Sequence, residues 1–137
     1  MRYITHSEAE TRALARSLAP LFKAGQVICL RGNLGAGKTS FVKGALEGLG
    51  YDDEVTSPTF ALCHRYETKP PVLHYDLYRL KDTDDLYSID FFDDINEKNC
   101  VFIEWSELAD NMLPNKISIN FEYGDKENER IITVEEV

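Results

Sequence analysis

The chain has 137 residues, 43% of them hydrophobic, which is enough for one packed core and too little for two ordinary domains. Its 24 acidic residues against 15 basic ones give a formal charge of -9, which opposes independent binding to a nucleic-acid backbone; any nucleic acid is expected to be held through a partner. The longest apolar runs fall far short of a membrane span, so no membrane association is expected.

Along the chain, Ser7-Glu8-Ala9-Glu10 has the form of a capping box ahead of Leu14, Leu18, Leu21 and Phe22, and predicts a first helix from about Glu8 to Phe22. Gly25 breaks it. Gln26 to Leu30 reads as a short buried strand that leads into a glycine-rich loop, and Lys38 opens a second helix with Val42, Ala45, Leu46 and Leu49 on one face and Gly50 as its stop. Phe60 to Tyr66 and Val72 to Asp76 read as two strands about a turn at Lys69-Pro70-Pro71, and Cys100 to Ile103 as a third, wholly apolar one. The acidic stretch from Asp82 to Glu97 is predicted to be part helix. Alternation of Ile117, Ile119 and Phe121, then Ile131, Ile132 and Val134, about a polar turn at Gly124 to Glu129 predicts a terminal hairpin or edge strands. Together these elements predict an α/β fold, a P-loop NTPase-like three-layer sandwich with a mostly parallel central sheet and antiparallel edge strands, spanning 1–137 as a single P-loop ATPase domain.

Cys29, Cys63 and Cys100 are odd in number and form no CxxC pair, which indicates neither a disulfide framework nor a zinc site; Cys29 and Cys100 lie in apolar runs and are expected to be buried thiols. His6, His64 and His74 show no metal-ligand spacing and read as structural or surface residues. Met1-Arg2-Tyr3-Ile4 passes at once into polar residues, so no targeting segment is expected and the cytoplasm is the expected location.

The string Gly32-Asn33-Leu34-Gly35-Ala36-Gly37-Lys38-Thr39 matches GxxxxGK[ST] between a strand and a helix. A phosphate chain is a dense polyanion, cradled where backbone N–H groups converge, and glycines permit that approach. Asn33, Leu34, Gly35, Ala36, Gly37, Lys38, Thr39 and Ser40 are therefore the expected nucleotide contacts, with Lys38 on the β and γ phosphates and the Thr39 hydroxyl on Mg²⁺. Asp76 and Glu104 each end an apolar strand where a magnesium-side carboxylate is needed, Glu104 with the cleaner Walker-B form; each also has the simpler reading of a solvated strand-end acid. Val55-Thr56-Ser57-Pro58-Thr59-Phe60 reads either as a loop sensing the γ-phosphate or as a plain turn. Trp105 is ordinarily a packing residue, but follows Glu104 at the strand end, beside the expected nucleotide.

In this order, the helix start at Ser7 to Thr11, then Gly32 to Thr39 followed by Phe41, then Val55-Thr56-Ser57-Pro58-Thr59-Phe60, then His74-Tyr75-Asp76-Leu77-Tyr78-Arg79-Leu80, then Ile103-Glu104-Trp105, the motifs resemble the bacterial tRNA threonylcarbamoyladenosine biosynthesis ATPase family, TsaE or YjeE, over almost the whole chain. The resemblance implies a weak magnesium-dependent ATPase that works with the TsaD and TsaB proteins. Those partners make N6-threonylcarbamoyladenosine on tRNA, and ATP binding and hydrolysis by the small protein reset or regulate their complex. It further implies ATP and Mg²⁺ as cofactors, Lys38, Asp76 and Glu104 as catalytic residues, Thr39, Glu104 and Asp76 on the metal side, and Thr59 and Trp105 near nucleotide. Asn33, Ser40 and Ser88-Ile89-Asp90 depart from the family's usual residues without removing a phosphate or metal contact.

Two rivals lack parts. A small-molecule P-loop kinase needs a substrate insertion and an arginine-bearing lid, yet only Arg65 and Arg79 lie between the P-loop helix and the third strand. A guanine reader needs NKxD, and Asn115-Lys116-Ile117-Ser118 ends in serine. A third reading is a nucleotide-gated binding module without useful hydrolysis of its own. Asp82 to Glu97 holds seven acids and no Lys or Arg, and reads equally as a surface for a basic partner or as a solvated face.

Overall fold

The computed structural model describes residues 1–32, 37–51 and 63–136. The chain begins with strand β1 (Arg2–Thr5) and helix α1 (Glu8–Ser17). Ser7 caps α1 by accepting the Glu10 N–H, while the Glu10 carboxylate reaches back to the His6 N–H, so the box closes one residue earlier than its usual form. The sequence predicts α1 to Phe22. It ends at Ser17 instead, and Ala19–Leu21 forms a single 3₁₀ turn, because Pro20 has no N–H and its ring does not fit a continuing α-helix.

Strand β2 (Val27–Gly32) follows, then helix α2 (Lys38–Gly48), β3 (Cys63–Tyr66), β4 (Val72–Asp76), the short helices α3 (Thr83–Ser88) and α4 (Phe91–Asp94), β5 (Cys100–Glu104), β6 (Lys116–Tyr123) and β7 (Arg130–Glu136). They make one sheet in the order β1-β7-β6-β2-β5-β4-β3. The central strands β6, β2, β5 and β4 are parallel, and β3, β7 and β1 add antiparallel edges, as expected. Because side chains alternate along β2, Ile28 and Leu30 pack with Phe22, Phe41 and Leu46 beneath α1 and α2. Val27 and Cys29 face the other way, onto Leu86 and Phe91 of α3 and α4. Two apolar faces on one sheet require a layer over each, which gives the three-layer α/β sandwich.

Helices α1 and α2 approach closely at small residues. A Cβ on Gly44 would lie 2.0 Å from the Arg12 carbonyl oxygen and 2.9 Å from the Ala15 Cβ. An ion pair between Arg12 and Glu47 spans the same two helices on the outside.

Two further features differ from the sequence reading. Residues 2–5 pair with β7 although nothing in their pattern predicts a strand. The segment containing Ile117 does form a hairpin with β7, but its other edge pairs with β2, placing it inside the sheet. Buried Cys29 and Cys100 and the β3–β4 hairpin agree with expectation within the described residues.

Candidate functional site

Register gathers the chemistry at the C-terminal end of the parallel strands. Leu30 of β2 lies beside Glu104 of β5, and Glu104 beside Asp76 of β4. Counting back by two, Phe102 and His74 share the sheet face of Glu104 and Asp76. Phe102 belongs to the core beneath α2, so both acids are set on the face that α2 covers.

Lys38 opens α2, whose N-cap, Gly37, has φ +100°. The lysine is buried, and its Nζ donates to the Gly32 carbonyl at 3.0 Å and lies 3.7 Å from Glu104 Oε1. It also sits 5.0 Å from the centre of the Trp105 ring. Gly32 must be glycine: its φ is +149°, and a Cβ there would fall 2.7 Å from the Phe121 carbonyl oxygen.

Glu104 is the buried end of an otherwise apolar strand. Its other oxygen, Oε2, is 2.7 Å from His74 Nε2. Burial works to raise the carboxyl's pKa, but the His74 hydrogen bond and the attraction of His74 and Lys38 outweigh it, holding the group below the usual glutamate value. Asp76 is half-buried and turns one oxygen to the Tyr78 N–H at 3.0 Å, while the Leu77 N–H donates to the Glu104 carbonyl at 3.0 Å. The second of these bonds ties the ends of β4 and β5 together.

After Glu104 the chain turns sharply, with Trp105 in the left-handed region at φ 59°, a conformation non-glycine residues seldom adopt. Its half-buried ring lies 4.8 Å from that of Tyr78, which is 67% exposed at the mouth of the site. Thr39 and Ser40 are partly exposed on the first turn of α2. Asn33, Leu34, Gly35, Ala36 and Thr59, with the rest of Val55 to Phe60, lie outside the described residues.

The structure thus brings together Lys38, Glu104 and Trp105 by contact, Asp76 by register, and Gly37, Thr39 and Ser40 by their place on α2. A buried cation at a helix N-terminus suits a polyanion, and oxygen donors beside it suit a hard divalent cation. Among the described residues no cluster of three or more His, Cys, Asp or Glu side chains is arranged to hold a metal. Glu104 and Asp76 supply at most two carboxylates here, a number compatible with a hard divalent cation that completes its shell with other oxygens.

The sequence reads His74 as structural or surface, and the structure makes it a buried partner of Glu104. Its position two residues before Asp76 in a strand was the available signal, since i and i+2 share a face. Tyr78 lies in the Asp76 to Leu80 motif, but its contact with Trp105 is not legible there because the two are remote in sequence. In the acidic stretch, Asp82 caps α3, Asp85 accepts the Lys81 N–H and Asp94 accepts the Tyr75 hydroxyl, so three of the seven acids have local structural partners. Among the described residues no helix is long and apolar enough to cross a membrane.

A central parallel sheet with this lysine at the head of the helix after β2, facing an acid at the end of the neighbouring strand, defines the class as a P-loop-like α/β protein. The family model described as threonylcarbamoyl adenosine biosynthesis protein TsaE matches residues 5–132, and the chain belongs to that family, one of tRNA threonylcarbamoyladenosine biosynthesis. It is 39% identical to the Rickettsia felis tRNA threonylcarbamoyladenosine biosynthesis protein TsaE, over 96% of this chain and 77% of the relative. Identity to the TsaE protein of Bacillus subtilis is 36%, over 85% of this chain and 73% of that one. The crystal structure of Bacillus subtilis YdiB superposes with a TM-score of 0.79 at 32% identity, covering all of this chain (100%) and 85% of that chain.

Proposed function

We propose that this protein is the ATP-binding and ATP-hydrolysing component required for N6-threonylcarbamoyladenosine formation on tRNA, resetting or regulating a TsaD-TsaB transferase complex without performing the transfer. The observation that carries the reading is the buried approach of Lys38 Nζ to Glu104 Oε1, 3.7 Å, at the ends of two elements that a P-loop protein uses for phosphate and metal. Family membership supplies the pathway.

In this reading Lys38 neutralises the β and γ phosphates, and Asn33 to Ser40 hold the nucleotide through backbone N–H groups. Thr39, Glu104 and Asp76 would hold Mg²⁺, which, when bound, offsets charge on the phosphate oxygens. Trp105 flanks the nucleotide, and Thr59 belongs to a loop that answers the γ-phosphate. The partners are the TsaD and TsaB proteins, tRNA is met only through them, and the work is cytoplasmic. The net charge of -9 supports the indirect route to tRNA.

The test is product formation on tRNA over many turnovers with purified TsaD and TsaB, comparing the intact protein, its omission and Lys38→Ala. Sustained turnover with the intact protein alone is expected. Equal product in all three mixtures overturns the reading.

A further inference from the structure

We infer that His74 is a positioning residue for Glu104: one hydrogen bond to Oε2 fixes the carboxylate so that Oε1 is presented to Lys38 and the phosphate side of the site. The inference rests on the nucleotide reading above and assigns the group that orients its acid.

Three observations carry it. First, the two contacts of Glu104 are unequal. His74 Nε2 lies at hydrogen-bond distance, 2.7 Å, whereas Lys38 Nζ is 3.7 Å from the opposite oxygen and makes its short bond, 3.0 Å, to the Gly32 carbonyl instead. The imidazole therefore sets the carboxylate's orientation, and the ammonium can move to a phosphate without releasing it. Second, Lys38 approaches Oε1 of the same carboxyl group, a placement that suits an acceptor-only carboxylate, so the hydrogen shared at Oε2 comes from His74 Nε2. Third, His74 Nδ1 is buried and has no hydrogen-bond partner among the described residues. A buried unpartnered nitrogen is unfavourable. Position 74 is buried on the sheet face it shares with its ladder partner Phe102, where an apolar side chain would serve packing better. The bond to Glu104 is what accounts for an imidazole here.

The placement follows from the strand. His74 and Asp76 are i and i+2 on β4, and Glu104 is the ladder partner of Asp76, so β4 delivers one acid to the site and, one step deeper, the residue that steadies the other. His74 itself stays beneath the carboxylate, 1% exposed, and acts only through it.

The experiment is steady-state ATP hydrolysis by the full chain with TsaD and TsaB, comparing wild type, His74→Gln and His74→Asn. ADP affinity and thermal unfolding are measured for each. Glutamine carries an amide N–H to the place of Nε2, whereas asparagine is too short to reach Oε2. His74→Asn is expected to lose about 10-fold or more in kcat. KM and ADP affinity should stay within about threefold, because Lys38 and α2 are untouched. His74→Gln should recover to within about threefold of the wild-type kcat, since the donor is restored.

Equal kcat losses in the two variants, a KM that rises in step with the loss, or His74→Asn turnover within about twofold of wild type overturns the inference. Where His74→Asn does not fold, His74→Gln decides alone: kcat near wild type upholds it and a loss of about 10-fold overturns it. Wild-type protein without ATP turnover overturns the nucleotide reading and this inference with it, whereas wild-type turnover with indifferent variants overturns this inference alone.

Discussion

Lys38 Nζ and Glu104 Oε1 face one another across 3.7 Å with side chains only 5% and 7% exposed, although 66 positions separate them (104 less 38). Two buried opposite charges persist where each has further hydrogen bonds, and here the Gly32 carbonyl serves the lysine and His74 serves the glutamate.

From that pair, Lys38→Ala is predicted to lower ATP turnover by about 100-fold or more, because the loop's only side-chain cation is gone. The fold should survive, since Glu104 keeps its His74 bond. Thr39→Ala should instead raise the Mg²⁺ needed for half-maximal turnover by about 10-fold. Hydrolysis rates across a magnesium titration, with circular dichroism as the control for folding, check both.

Acid stability should depend on Glu104. Its pKa is held below the ordinary glutamate value of 4.5 in the folded chain, so as pH falls the unfolded state takes up the proton first. The contribution is therefore full above about pH 4.5 and is lost as pH drops through the lower folded value. Glu104→Gln is predicted to be less stable than wild type by about 1.5–3 kcal/mol at neutral pH. The two stabilities should converge in acid. Urea unfolding at a series of pH values reads the difference, and a constant gap down to acid pH would refute the assignment.

Gly44→Ala is predicted to destabilise, against the roughly 1 kcal/mol gain that this change gives in an exposed helix. The added methyl meets Arg12 backbone at 2.0 Å, so α1 and α2 must separate. Overpacking of this kind costs about 1–3 kcal/mol, which is several degrees in Tm for a domain of this size. Calorimetry of the variant decides the sign.

Trp105 is the chain's single tryptophan, and Lys38 lies over its ring while Tyr78 leans against it. Nucleotide that draws Lys38 onto phosphate changes the ring's surroundings, so tryptophan emission should shift on adding ATP or ADP. In Lys38→Ala the response should be lost or greatly reduced. Emission indifferent to nucleotide in a protein that binds it by calorimetry would place Trp105 outside the site.

The sequence alone determined the local chemistry. A strand, GxxxxGKT and a helix in succession fix Lys38 and Thr39 at a helix start, and the apolar runs before Asp76 and Glu104 set both acids at strand ends, because these relations are short-range and follow from alternation and glycine geometry. Helix-against-strand periodicity likewise made the layered α/β fold legible. Only the tertiary structure decided the nonlocal neighbours: that β6 lies inside the sheet against β2, that residues 2–5 complete it, and that Glu104 stands beside Asp76 with His74 beneath. Those pairings join residues tens of positions apart through backbone hydrogen bonds that every residue type makes alike. No residue pattern declares a nonlocal partner; burial of both sheet faces selects it.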